Sequence, residues 1–206
     1  METSKGHFKL IKIISPDQYK KILWKNGKGE TTELAISEGG SIDDFDWRIS
    51  IASVVEDGEF SDFTGYMRNL VLLEGDGIDL HHDGSKIDHL ENVLSVATFN
   101  GSCKTVGVLK SGPITDFNLM TDQKSYLATV KTYPKFQQVA LESFDRCFIY
   151  GLTAGLELSS TAQLIKQPLP AGYLMHIFEQ NTTDLAITGE NMIVIYLINR
   201  QSQLIK

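Results

Sequence analysis

Apolar residues in this chain come in short runs, separated at close intervals by Gly, Asp, Asn and Ser. The runs are Phe8–Ile14, Thr32–Ser37, Trp47–Val54, Asn69–Leu73, Gly77–Leu80, Asn92–Ala97, Lys104–Leu109, Tyr126–Tyr133, Arg146–Leu152, Gly155–Leu158, Leu174–Phe178, Leu185–Thr188 and Asn191–Asn199. Their length and their content of β-branched and aromatic residues are those of strands. Ser15-Pro16-Asp17 places a capping Ser before Pro and Asp, which predicts one or two helical turns. No other segment sustains a 3.6-residue period, so the pattern predicts a mainly β protein with few short helices.

One pattern occurs twice. Gly77-Ile78-Asp79-Leu80 matches Gly155-Leu156-Glu157-Leu158 at an offset of 78 residues, each copy preceded by an apolar strand and followed by a polar turn. Strand, glycine turn, short strand and a further turn form the hairpin grammar of a small jelly roll. Two tandem jelly-roll-like barrels or sandwiches are therefore expected, at about 100 residues each. The expected division is a first half over 1–110, carrying the ligand pocket, and a crossover with the second half over 111–206. Ser111–Met120 would be the crossover.

Composition narrows the classes. Of 206 residues, 42% are hydrophobic and 22% charged, enough apolar material for a folded core. A net charge of −7, with no compensating basic tract, argues against nucleic acid as a partner. Cys103 and Cys147 are too few for a disulfide framework and read as reduced structural thiols. Met1–Ile14 lacks the features of a secretion signal, and no apolar run has the length of a membrane span. A cytoplasmic protein without membrane contact is the expectation.

The unusual chemistry lies between Trp24 and Gly77. In Trp47-Arg48-Ile49-Ser50-Ile51-Ala52, strand alternation puts the bulky apolar residues on one face and Arg48, Ser50 and Ala52 on the other. Arg68 stands next to another apolar run, and two arginines converging on one cavity make a fork for a carboxylate or phosphate. Asn26-Gly27-Lys28-Gly29 lacks the spacing of a phosphate loop and reads as a loop over a barrel mouth, anchored by Trp24. Asp116 and Asn118 alternate with Phe117 and Leu119 and would face one way. His81 and His82 are adjacent and would diverge in a strand, so no metal site is expected from them with His89. His176 stands alone, and no activated nucleophile motif occurs. Glu33, Glu74 and Asp116 could supply acid–base chemistry or simply pair with arginine.

Taken together, these residues resemble the HutD/Ves family. The match comprises Trp24-Lys25-Asn26-Gly27 with Gly29 and Thr31, then Trp47 to Ala52. Asp57-Gly58 with Phe60-Ser61 and Phe63 follows, then Gly65 with Arg68 and Leu73-Glu74-Gly75. Phe99 with Gly101, and Gly112-Pro113 with Asp116, Asn118 and Met120, complete it. Lys28 and Thr121-Asp122-Gln123-Lys124 depart from the family pattern, the latter by removing positive charge. The resemblance implies a bicupin fold and a cytoplasmic bacterial protein, with some members linked to histidine utilisation. The resulting expectation is a non-catalytic bicupin without a cofactor that binds a small anionic metabolite. Arg48 and Arg68 would hold its carboxylate, Asn26, Ser50, Asp116 and Asn118 would orient it, and Trp24, Trp47 and Phe60 would wall the site. The alternative is a cupin-type isomerase or hydrolase with Glu74 or Asp116 as base; a third reading gives the arginines only a structural role. A homodimer is left open.

Overall fold

The computed structural model describes residues 11–23, 30–178 and 184–203. In chain order the first strands are β1 (Ile11–Ile14), β2 (Lys20–Leu23), β3 (Glu30–Ile36), β4 (Trp47–Val54), β5 (Gly58–Glu59), β6 (Tyr66–Glu74), β7 (Ile78–His82), β8 (Lys86–Leu90), β9 (Val96–Asn100), β10 (Thr105–Leu109) and β11 (Ile114–Asp122). They are followed by β12 (Tyr126–Tyr133), β13 (Gln137–Ala140), β14 (Arg146–Gly151), β15 (Leu156–Ser160), β16 (Ile165–Leu169), β17 (Leu174–Ile177), β18 (Ala186–Gly189) and β19 (Met192–Asn199). Among the described residues helix is confined to a 3₁₀ turn at Pro16–Gln18, where the proline start was expected, and to α1 at Arg200–Gln203. Among the described residues no helix is long and apolar enough to cross a membrane.

Contacts divide the chain into two units. In the first, described residues of 19–127 form a six-stranded sheet, ordered β2-β3-β4-β11-β6-β9, and a four-stranded sheet, ordered β5-β10-β7-β8. The second, drawn from 11–18 and 128–199, holds a sheet ordered β1-β17-β14-β19-β12 and another ordered β13-β18-β15-β16. Apart from β2 and β3 at one end of the first large sheet and β1 at one end of the second, replacing β4 to β11 by β12 to β19, strand for strand, turns one pair of sheet orders into the other. The repeat seen at Gly77 and Gly155 thus extends over eight strands in each half, and the architecture is two tandem jelly rolls, a bicupin. Both glycines adopt left-handed backbone, with φ of 117° and 98°. At Gly77 a Cβ would also lie 2.6 Å from the Leu90 carbonyl oxygen, so the turn demands glycine twice over.

Each half has its own apolar interior. In the first, Leu70, Leu72, Ile78 and Leu80 are fully buried and pack with Val54, Leu90, Ala97, Phe99 and Ile114. In the second, Ile149, Leu158, Ile187 and Val194 are fully buried within a larger cluster. Each such side chain contributes roughly 1.5–3 kcal/mol by leaving water.

Three expectations need correction. Ser111–Met120 is not a crossover: after a turn at Gly112 (φ 66°), β11 runs through the middle of the six-stranded sheet between β4 and β6. Its near-continuous burial on both faces, which includes Asp116, Asn118 and Thr121, hides the alternation that marks a strand. The contact division falls instead at 127/128, within β12, and residues 11–18 group with the second half rather than the first. Asn92–Ala97 is shifted as well: Leu94 takes φ 70° in a turn closed by the Ser95 N–H on the Asn92 carbonyl (2.9 Å), so the strand begins at Val96.

Candidate functional site

The site follows from alternation on three neighbouring strands. Register pairs Ala52 with Asp116, Ser50 with Asn118 and Arg48 with Met120 across β4 and β11, and Met120 with Arg68 across β11 and β6. Arg48, Ser50, Arg68, Asp116 and Asn118 therefore share one face of the sheet. They line a cavity of about 630 Å³ whose walls are Phe60, Ser61 and Phe63, and whose lining also includes Ile22, Leu23 and Ile42. Leu23 is 77% exposed although apolar, and Ile22 and Ile42 are exposed too.

The two arginines are held differently. Arg48 is buried and donates from Nε to Glu33 Oε2 at 2.8 Å; Lys20 Nζ lies 3.9 Å from the other Glu33 oxygen. A bulge in β3 falls between Glu33 and Ala35, and consecutive Glu33 and Leu34 are both buried. Arg68 has no such carboxylate. Its guanidinium sits among the rings of Phe60, Phe63 and Phe99, at 5.2, 5.6 and 5.2 Å from their centres. Its Nη1 donates to the Ser61 carbonyl at a long 3.5 Å, and its buried Nε has no hydrogen-bond partner. Burial brings its pKa down to about 10, opposed by the charge of Asp116, so it stays cationic at neutral pH.

Facing it are two more groups with unmet valence. Asp116 is 1% exposed, and its Oδ1 has no hydrogen-bond partner; nor has Oδ1 of buried Asn118. Burial pushes the Asp116 carboxyl up to about 7, with Arg68 pulling the other way. An orphaned buried polar atom costs about 1–3 kcal/mol, so three around one cavity mark places for water or a ligand. A donor set of two arginines, with an acceptor on Asn118 and a carboxyl of either protonation state, suits a small anion that also carries polar groups.

Six of the ten residues singled out in the sequence thus meet in this cavity: Arg48, Ser50, Arg68, Phe60, Asp116 and Asn118. Trp24 and Asn26 lie outside the described residues. Trp47 is buried but alternates to the opposite face of β4, so it does not wall the cavity. Glu74 is exposed: a bulge between Thr115 and Asp116 sets it opposite Thr115, beyond the cavity-lining register, and it is not placed to act as a base there. Glu33 takes the second of the two roles the sequence left open for it, pairing with an arginine; that the arginine is Arg48 depends on a register the sequence does not show. Phe63 and Met120 carried a signal only through the family motif.

The histidines lie elsewhere. His82 is buried on β7, with Nδ1 2.9 Å from Thr105 Oγ1 and Nε2 3.2 Å from Asp88 Oδ2, while His81 points to the other face and His89 meets Asp79 at 2.7 Å. His176 stacks on Phe148 and Phe178, and burial lowers its pKa to about 3. Among the described residues no three His, Cys, Asp or Glu side chains cluster as metal ligands. In the second half, inward residues of β14 and β19, the counterparts of β6 and β11, are Cys147, Ile149, Val194 and Tyr196, all within the apolar cluster. The polar lining belongs to the first half.

The HutD family model matches residues 16–195. A Pseudomonas putida protein described as an uncharacterized 21.2 kDa protein in the hutC 3' region is 30% identical over 157 residues, 76% of this chain and 82% of that protein. Protein Ves of Escherichia fergusonii is 39% identical over 110 residues, 53% of this chain and 56% of Ves. The structure of HutD from Pseudomonas fluorescens, in a formate condition, superposes with a TM-score of 0.78 at 27% identity, covering 92% of this chain and 99% of that one.

Proposed function

The chain belongs to the HutD family, and from that premise we propose that its first jelly-roll half binds a small carboxylate-type metabolite. The observation that carries this reading is Arg68, a guanidinium in a cavity wall with no carboxylate paired to it and an orphaned Nε. An arginine kept this dry without a hydrogen-bonded carboxylate is costly, and a ligand carboxylate would relieve that cost through a two-bonded fork. Arg48, already oriented by Glu33, offers its remaining donors beside it. Apolar walls at Phe60, Phe63 and Met120 would cover the ligand's carbon skeleton. The place of the Pseudomonas putida relative beside hutC supports a link to histidine utilisation; on our reading the protein acts there in regulation, in the cytoplasm, with the metabolite as the signal.

Calorimetry with formate, acetate, dicarboxylates and the acids of histidine breakdown tests it. Arg68→Lys and Arg48→Ala should weaken the best ligand by about tenfold to a few hundredfold, the worth of one or two charge-assisted hydrogen bonds. Affinity unchanged from the wild type in both variants, or no carboxylate binding to the wild type, would rule the reading out. One observation favours a second reading: a carboxyl raised to about 7 inside a ligand-sized cavity is suited to general acid–base catalysis, with Asp116 rather than Glu74 as base. Conversion of a bound acid followed by NMR, abolished in Asp116→Asn, would establish it.

A further inference from the structure

We propose that Asp116 couples the cavity to the proton: a carboxylate enters only as Asp116 takes up one proton, which turns that side chain from a competing anion into a hydrogen-bond donor. This rests on the carboxylate reading above and adds a pH response to the same site. The buried charges lining or serving the cavity can be counted. On β4, Arg48 is cancelled by Glu33 of β3 at 2.8 Å. On β6, Arg68 is balanced among the described residues only by Asp116 of β11, with which it interacts through space without a direct hydrogen bond. The remaining charged groups are peripheral. Lys20 of β2 is solvent-exposed and reaches Glu33 at 3.9 Å, while Glu56 and Glu59 are exposed lining residues, the latter 3.6 Å from Lys104. His82 of β7 stacks on Phe99 on the way to Arg68, and burial disfavours its charged form.

With Asp116 ionised, the buried set is therefore neutral before any ligand arrives. A carboxylate on Arg68 adds one negative charge and deprives Asp116 of its counter-ion. Two carboxylates cannot share one dry guanidinium without one of them being protonated, because the second remains an uncompensated buried charge. Asp116 is the group already poised to accept that proton, since burial has brought its carboxyl to about 7 in the ligand-free site. Protonated, its O–H donates to the ligand carboxylate while Arg68 donates from the other side. Binding then becomes a sensor of two inputs, metabolite and pH. Above pH 7 the wild-type affinity falls about tenfold per pH unit, as linkage of one proton requires.

Two measurements decide it. The first needs no ligand: a carbon-13 NMR titration of the aspartate carboxyls should show Asp116 changing near pH 7, and higher still in Arg68→Met. A midpoint near the ordinary carboxylate value, about 4, would overturn the proposal. The second is calorimetry of formate binding at pH 8 in buffers of differing ionisation enthalpy. It should show close to one proton taken up per formate in the wild type and none in Asp116→Asn, whose affinity should no longer vary between pH 6 and 9. Formate binding without proton uptake would equally overturn it. Failure of every carboxylate to bind would defeat the proposed function instead, leaving the carboxyl titration to decide the protonation of Asp116 by itself.

Discussion

Asp116 and Arg68 show how far one buried pair can depart from ordinary behaviour. Neither is exposed, and neither has its hydrogen-bonding capacity filled. The raised carboxyl has a consequence for stability as well as binding. Between about pH 4, where an unfolded aspartate titrates, and pH 7, the native chain holds a proton that the unfolded chain has lost. Asp116's own contribution to stability must then fall as pH rises through that window and level off above it, while buried His176, whose charged form burial disfavours, acts in the opposite direction. Urea unfolding between pH 4 and 8 should show the stability of the wild type relative to Asp116→Asn declining as pH rises. An unchanged difference in stability between the two proteins across that range would mean that Asp116 is ionised throughout.

Turns and bulges decide where these residues point. Gly77 is the clearest case: Gly77→Ala meets both a φ of 117° and a carbonyl 2.6 Å from the new methyl. It should cost at least 1–3 kcal/mol in thermal or urea unfolding. Gly58→Ala, with nothing within 4 Å of its added carbon and no left-handed backbone, should stay within about 0.5 kcal/mol. Equal effects would refute the account of the turn. The same level explains what the sequence revealed. Mostly buried strands such as β4 and β19 stood out through their apolar residues and bounding turns. The missed strands β2, β8, β13 and β16 are mostly exposed or partly exposed, so their residues had no need to be apolar. Arg48, Ser50, Asp116 and Asn118 were legible because simple alternation governs β4 and the cavity-lining part of β11. The placements of Glu33 and Glu74 were not, because bulges beside them shift their pairing with the neighbouring strands, and the pattern of one strand does not show its register against another.

The whole chain uses one architecture in two ways. Eight strands recur in the same sheet orders, yet the first half keeps arginine, aspartate and asparagine around an open cavity, while the second fills corresponding strands with apolar side chains. The halves should therefore separate in mutational analysis. Leu158→Ala in the second interior should lose about 2–5 kcal/mol of stability while leaving carboxylate affinity unchanged at a temperature where the variant is folded. A parallel loss of affinity in the folded variant would show that the ligand site is not confined to the first half. For the central claim, the most direct measurement is a high-resolution crystal structure of the protein soaked in formate or acetate. The predicted result is a carboxylate in the first-half cavity, within about 3.2 Å of Arg68 nitrogens and next to Asp116. Arg68 closed onto Asp116 in a direct ion pair, with the carboxylate absent from the cavity at saturating concentration, would contradict it.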